Sequence, residues 1–282
     1  MSASPTFAEW RASMVLPGLL LYLAVKSFVL VLAETVIKRN RPLSEIKDEA
    51  FSRFWRIINA PPPPGTPLAG SMTLPPALLP EASGVVLELG PGSGAQVQYF
   101  ATATKATTIY GAEPCLPLHD DLRANAVRHG LRDKYRIVTA GAEKETLIPG
   151  LAKAGLLTNK SPNSGIFDTV VCVRVLCSVK DLHETTSAIY SLLKPGGKLI
   201  VVEHTVNPWR TPTGSYVGRL MQTVYESLGW TFFVGNCHMT RDIRKGIMDA
   251  AVSDGGWVKV ELKNHFSWAA LPYVAGTVVK RS

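Results

Sequence analysis

The run Val85-Val86-Leu87-Glu88-Leu89 stops in Gly90-Pro91-Gly92-Ser93-Gly94, three glycines at alternate positions directly after an apolar strand. Without a Cβ, such residues let the backbone pass close to a ligand where a side chain would clash. In a parallel sheet the ligand sits at the carboxyl ends of the strands, where the strand order reverses. Amides at the start of a following helix, expected over 95–102, would face it. The spacing is GxGxG, which differs from the dinucleotide GxGxxG, and no GK[ST] follows, so this is no P-loop. Glu88 stands two residues before the first glycine, where an acid suits a ligand's ammonium group.

The rest of the chain repeats a strand-then-helix rhythm. Apolar runs at 85–89, 107–112, 135–140, 167–174 and 198–203 read as strands. Residues 116–129 and 182–193 read as helices between them. This alternation predicts a parallel, doubly wound sheet. The end departs from it: 257–264 and 273–280 are strands joined by a short turn, which predicts an antiparallel finish. The fold expected is an α/β, Rossmann-like seven-stranded sheet with an antiparallel last strand. Lys194-Pro195-Gly196-Gly197-Lys198 reads as a structural turn before the fifth strand.

Strand ends carry the remaining candidates. The second strand closes on Gly111-Ala112-Glu113, where a carboxylate can accept both hydroxyls of a ribose. The third closes on Gly141-Ala142-Glu143, a position beside a nucleobase. The fourth brings Cys172, Val173 and Arg174 to the reacting centre. Four cysteines occur without a CxxC pair, so no metal site is expected. Cys172 and Cys177 lie in an apolar run and read as buried, reduced thiols. A sequon, Asn159-Lys160-Ser161, matters only if this part of the chain is lumenal.

Before the sheet lies a segment of another character. Residues 14–37 are dominated by apolar side chains, with Pro17 near the start and Lys26 in the middle. About 20 such residues span a hydrocarbon core. The segment reads as a membrane anchor that crosses the bilayer or lies in its interface; a capping helix of a soluble protein and a signal peptide are the rivals. Lys38, Arg39 and Arg41 follow it against Arg11 before it, which places the C-terminal side in the cytosol. Residues 45–59 read as an amphipathic helix that covers the site, lies on the bilayer or packs on the core. Prolines from Pro61 to Pro80 then interrupt the chain. The division expected is an anchor over 1–42, amphipathic helix and linker over 43–81, and a catalytic domain over 82–282. A net charge of +8 without a basic run, and no nucleic-acid motif, favours membrane lipids over nucleic acid as partner.

In order, ELGPGSG, GAEP, GAE, FDTVVC and LLKPGGKLIVVEH resemble the class I S-adenosylmethionine-dependent methyltransferases. The stretch 171–180, the Glu203-His204 pair and GNCHMTR at 235–241 resemble, within that class, the membrane-associated alkyl thiol methyltransferases. Pro91 departs from that family, which usually has Cys there. The resemblance implies S-adenosylmethionine bound by Glu88, Gly90, Gly92, Gly94, Glu113, Ala142, Glu143, Cys172 and Val173. It implies methyl transfer to a small lipophilic acceptor, first a thiol. His204 is the candidate base, since imidazole is poised near neutral pH; the alternative is a backbone-bonding role. Arg174, His238 and Arg241 are candidates for orienting the acceptor, the last two equally for capping a helix expected to begin near Thr240. Tyr216, Tyr225, Trp230, Phe232 and Phe233 are a candidate aromatic wall, mostly core. O- or C-methylation of a lipid, quinone or secondary metabolite is the alternative activity. A non-catalytic membrane protein that retains the fold is the alternative of another class. The endoplasmic reticulum or a lipid droplet is the expected site of action.

Overall fold

The computed structural model describes residues 5–38, 41–61, 63, 65–157 and 165–282. The sequon and Arg39 lie outside the described residues. The strands are β1 (Gly84–Leu89), β2 (Ala106–Ala112), β3 (Tyr135–Val138), β4 (Phe167–Val173), β5 (Leu193–His204), β6 (Lys259–His265) and β7 (Tyr273–Val279). They form one seven-stranded sheet in the order β3-β2-β1-β4-β5-β7-β6. Pairings among β1 to β5 are parallel, whereas β7 runs antiparallel to both β5 and β6. The order reverses between β1 and β4, so their carboxyl ends open the crevice where ligands of such sheets bind. The Lys194–Lys198 segment belongs to β5 itself, where its register against β4 shifts between Phe167 and Thr169.

The helices are α1 (Phe7–Lys38), α2 (Leu43–Ile58), α3 (Leu74–Leu78), α4 (Val97–Phe100), α5 (His119–Arg128), α6 (Lys144–Lys153), α7 (Leu182–Leu192), α8 (Tyr216–Ser227), α9 (Trp230–Phe233) and α10 (Ile243–Asp249). One sheet face is covered by Leu147 and Leu151 of α6, Ile189 of α7 and Ile247 of α10. The other is covered by Leu74, Phe100, Leu122 and Ala126 of α3, α4 and α5. Burial on both faces is why the parallel strands read as continuous apolar runs. Asp181 caps α7 by accepting a hydrogen bond from the Glu184 amide. The helix expected near Thr240 begins later, because Asp242 caps α10 while Thr240 donates its hydroxyl to Glu226 at 2.8 Å.

α1 has 32 residues, about 48 Å at helical rise. Its span Phe7–Thr35 has a mean hydropathy of 2.2 and is long and apolar enough to cross a membrane. It is not isolated, however. Met14, Pro17, Leu21, Ala24, Ser27 and Val31 recur every three or four residues and are buried. Leu21 and Ala24 share a cluster with Phe54 of α2 and with Cys177, Trp230 and Cys237. Val31 packs on Ile46 and Ala50 of α2. Arg53 of α2 reaches Glu34 of α1 with two 2.8 Å hydrogen bonds. The N-terminal helices are thus laid along the domain.

Phe54 is 1% exposed and joins α1 to α2. Phe54→Ala leaves a cavity where the two helices meet and is expected to cost about 3 kcal/mol. Chemical denaturation of the full chain checks this: an unchanged midpoint would show that the α1–α2 seam carries little stability.

Candidate active site

The loops after β1, β2, β3 and β4 meet at one edge of the sheet around a cavity of about 330 Å³. Gly90 and Gly92 both line it, with φ of +59° and +60°. A Cβ at Gly90 would lie 2.7 Å from Val175, and one at Gly92 only 2.3 Å from Nε1 of Trp55. Both positions therefore need glycine for conformation and for space. Gly94 packs instead toward α5, where a Cβ would meet Leu122 at 2.9 Å. The expected long helix after the loop is a series of turns ending in the four-residue α4. The loop's shape, not a helix terminus, forms this part of the site.

Glu113 is buried at the end of β2 and lines the cavity. Its carboxylate accepts hydrogen bonds from the amides of Gly92 and Cys115, both at 2.8 Å. Burial raises its pKa in spite of these two donors. Gly141, Ala142 and Glu143 line the cavity as well. Glu143 accepts a hydrogen bond from the Lys180 amide at 3.3 Å, which ties the β3 loop to the β4 loop. Cys115, also in the wall, has its thiol pushed up to about 12 by burial, so it is a poor nucleophile.

Glu88 borders a smaller recess shared with Trp55, Asn59, Gln96, Val173 and Arg174. It is 1% exposed and accepts a 2.5 Å hydrogen bond from the Tyr135 hydroxyl. Burial pushes its carboxyl up to about 7. Two other buried atoms here, Trp55 Nε1 and Gln96 Oε1, have no partner among the described residues. An unpaired donor, an unpaired acceptor, a carboxyl and a guanidinium around one recess match the polar ends of an amino acid. The donor set thus fits the methionine end of S-adenosylmethionine. Trp55, Asn59 and Gln96 were not predicted; their positions depend on packing, and nothing in their spacing signals it.

Arg174 lines both spaces. Its φ is +57°, rare for a non-glycine residue. Glu203, buried at the end of β5, holds the turn by accepting hydrogen bonds from the amides of Val175 and Leu176 at 2.7 and 3.0 Å. The guanidinium lies over the Trp55 ring, 5.6 Å from its centroid, and donates to Asn59 at 3.3 Å. The cavity wall also holds aromatic rings, those of Phe28, Phe51, Phe232 and Phe233. Phe28 meets Phe232 and Phe233 edge-on at 5.4 and 5.5 Å.

Several expected residues lie elsewhere. Cys172 points into the core on the face opposite Val173, because neighbouring strand residues alternate sides. His204 is buried and absent from the cavity wall, and its Nε2 sits 3.0 Å from the Cys237 sulfur. His204, Cys177 and Cys237 cluster beneath the aromatic end, and Trp230 donates to Cys237 at 3.1 Å. Arg241 bonds the carbonyls of Leu176 and Lys180 at 3.2 and 3.4 Å, a clasp on the β4 loop. His238 donates its amide to the Cys177 carbonyl at 2.9 Å, and burial lowers its side-chain pKa. Neither His238 nor Arg241 lines the cavity; Asn236 beside them does, with its side chain on the Ser178 carbonyl at 2.9 Å. Of the aromatic wall, Phe232 and Phe233 reach the cavity, whereas Trp230 is core and Tyr216 is exposed.

Residues 70–242 match the family model for the methyltransferase domain. The chain is 29% identical over 197 residues to rat thiol S-methyltransferase TMT1B, spanning 69% of this chain and 70% of that one. To human thiol S-methyltransferase TMT1A it is 24% identical over 268 residues, 93% of this chain and 90% of the relative. Among solved structures, a geranyl diphosphate C-methyltransferase from Streptomyces coelicolor superposes with a TM-score of 0.51 at 13% identity, over 84% of this chain and 98% of that one. A possible exported protein from Bordetella parapertussis does so with a TM-score of 0.52, also at 13% identity, over 99% and 100%. With its glycine loop, buried strand-end acids and antiparallel final strands, the chain belongs to the methyltransferase domain family and is an S-adenosylmethionine-dependent methyltransferase.

Proposed function

We propose that this protein transfers a methyl group to the sulfur of a small lipophilic thiol while α1 holds it at a membrane. The observation that carries the reading is the layout of the cavity. One cavity is lined both by polar groups at Gly90, Gly92, Glu113 and Ala142 and by the aromatic rings of Phe28, Phe232 and Phe233, with Arg174 also in its wall. The names of the thiol S-methyltransferase relatives support sulfur as the acceptor atom. Glu113 serves the ribose, the Ala142–Glu143 turn the adenine, and the recess at Glu88 the methionine end.

When bound, S-adenosylmethionine supplies an electrophilic methyl on its sulfonium, and in-line displacement forms the new carbon–sulfur bond as the old one breaks. The protein's task is alignment. The aromatic end takes the acceptor's apolar body, with Phe28, Phe232 and Phe233 meeting edge to face. Arg174, which lines both the recess and the cavity, adds a positive charge that favours the thiolate over the thiol as well as meeting the cofactor's carboxylate. A thiol with pKa near 8.5 needs only modest help to ionise, and its proton leaves to solvent. His204, held on Cys237 outside the cavity, has a packing role in this scheme.

A panel of thiols, phenols and carboxylic acids with radiolabelled cofactor tests the acceptor; the absence of transfer to any thiol would sink the reading. With cofactor held at saturation, Arg174→Met is expected to slow thiol methylation about tenfold at pH 7 and much less at pH 9, where the thiol ionises unaided. A uniform loss at both pH values would remove Arg174 from thiol activation. Glu88 supplies a second test through the cofactor. An ammonium beside it favours the carboxylate, so binding expels the proton that Glu88 holds below its pKa of about 7. Affinity should therefore improve about tenfold from pH 6 to pH 8, and Glu88→Gln should flatten that profile in calorimetry. A wild-type affinity independent of pH would move the ammonium away from Glu88.

A further inference from the structure

The amphipathic helix α8 is mounted inside out. Its inward side is polar. The side chain of Gln222 is buried, donates to the carbonyls of Thr205 and Met239 at 3.0 Å, and accepts from the Asn207 amide at 2.9 Å. Glu226 takes the Thr240 amide and hydroxyl at 3.1 and 2.8 Å. Gly218 lies so close to Asn207 and Ala269 that a Cβ would meet them at 2.7 and 2.9 Å. These bonds leave the helix one rotational setting. In that setting Tyr216, Val217, Leu220, Val224 and Leu228 face outward, Leu220 61% and Leu228 60% exposed. An amphipathic helix on a water-facing surface shows the opposite arrangement.

Three observations identify what covers this face. First, its hydroxyls are satisfied within the helix itself: Thr223 donates to the Arg219 carbonyl at 3.3 Å and Ser227 to the Val224 carbonyl at 2.7 Å. Bonded in this way, and with Thr223 also accepting from the Arg219 guanidinium at 2.9 Å, they leave the face little polar demand that lipid could not meet. Second, the face continues α1. The Tyr225 hydroxyl donates to the Met14 carbonyl at 2.9 Å, and its ring lies on Gly18. The outward residues Val15, Leu19 and Tyr22 of α1 are all more than half exposed. Third, the start of α8 carries an aromatic and cationic edge. Trp209 meets Tyr216 edge-on at 5.1 Å, and Arg210 stacks over Trp209 at 4.5 Å. Tryptophan, tyrosine and arginine gather where hydrocarbon gives way to headgroups.

We infer that α8 is a second membrane-embedded element, which with the outer side of α1 beds the methyltransferase domain in one leaflet of an anionic bilayer. This rests on the reading of α1 as the membrane helix and extends it to the catalytic domain. It has a consequence for the substrate. α9 follows α8 directly, and its Phe232 and Phe233 meet Phe28 of α1 at the aromatic end of the cavity. A lipophilic acceptor dissolved in the leaflet then reaches the cavity without crossing water.

The native cysteines are buried, so an introduced thiol on the full chain takes a fluorophore selectively. Leu220→Cys on α8, Leu19→Cys on α1 and Val252→Cys, exposed after α10, are labelled with NBD. They are then mixed with vesicles of three parts phosphatidylcholine to one of phosphatidylserine, with and without a lipid-borne quencher. The first two labels should shift to the blue and be quenched, and the third should do neither. A Leu220→Cys label that stays aqueous while Leu19→Cys enters lipid overturns the inference and leaves the α1 anchor standing. If both stay aqueous, the membrane reading of α1 falls as well. A blue shift at Leu220→Cys before vesicles are added assigns the face to a second copy of the chain and overturns the inference too. Independently, Leu220→Glu with Leu228→Glu should weaken vesicle binding at least about tenfold while turnover of a water-soluble thiol is retained. Undiminished binding would overturn it.

Discussion

Trp55 lies against Gly92 so closely that no side chain could stand at that glycine, and a large part of the molecule is arranged around this approach. It sets the height of α2 over the glycine loop, and with it Phe51, which also packs too closely on Gly235 for a Cβ there. Phe54, whose ring lies 6.3 Å from that of Phe51, seats α1 beside them. The two helices that precede the sheet are therefore walls of the site. They cannot be treated as a leader that could be cut away while the enzyme stays whole.

Buried carboxyls shape the edge of the sheet from below. Glu113 gathers the amides of Gly92 and Cys115, joining the first two loops. Glu203 gathers two amides after β4 and holds Arg174 in its left-handed conformation. Glu88 keeps only the Tyr135 hydroxyl and stays close to half-protonated near neutral pH. Charged groups withdrawn from water need partners. The first two have the backbone. The third lies in a small recess beside an unpaired Trp55 donor and an unpaired Gln96 acceptor.

Much of this was legible in the chain. The central strands β1 and β4 and the second half of β5 are buried on both faces and appear as largely apolar runs. Glu88, Gly90, Gly92, Glu113 and Ala142 were legible because each sits at a strand end, a position the sequence encodes locally. Trp55, Asn59, Gln96 and Asn236 were not, since they reach the cavity through the docking of helices and loops distant in the chain. His204 illustrates the difference. It stands at the end of β5 as expected, but its ring packs against Cys237, which arrives from the loop after α9. Cys172 illustrates it again: the strand was foreseen, while the side it presents to the core was not.

The outer helices mark the boundary most clearly. Periodicity along the chain is enough to make 14–37 apolar, 45–59 amphipathic and 85–89 a strand running into a ligand loop, because hydrogen bonding and side-chain spacing within each segment are local properties. It also makes α8 two-faced. Which of those faces turns inward depends on what waits there. Asn207, Thr205, Met239 and Thr240 offer polar groups that must be paired once buried, and they draw in Gln222 and Glu226. The leucines are left outside by that choice. A helix alone specifies two faces; only its neighbours determine which one meets the surroundings.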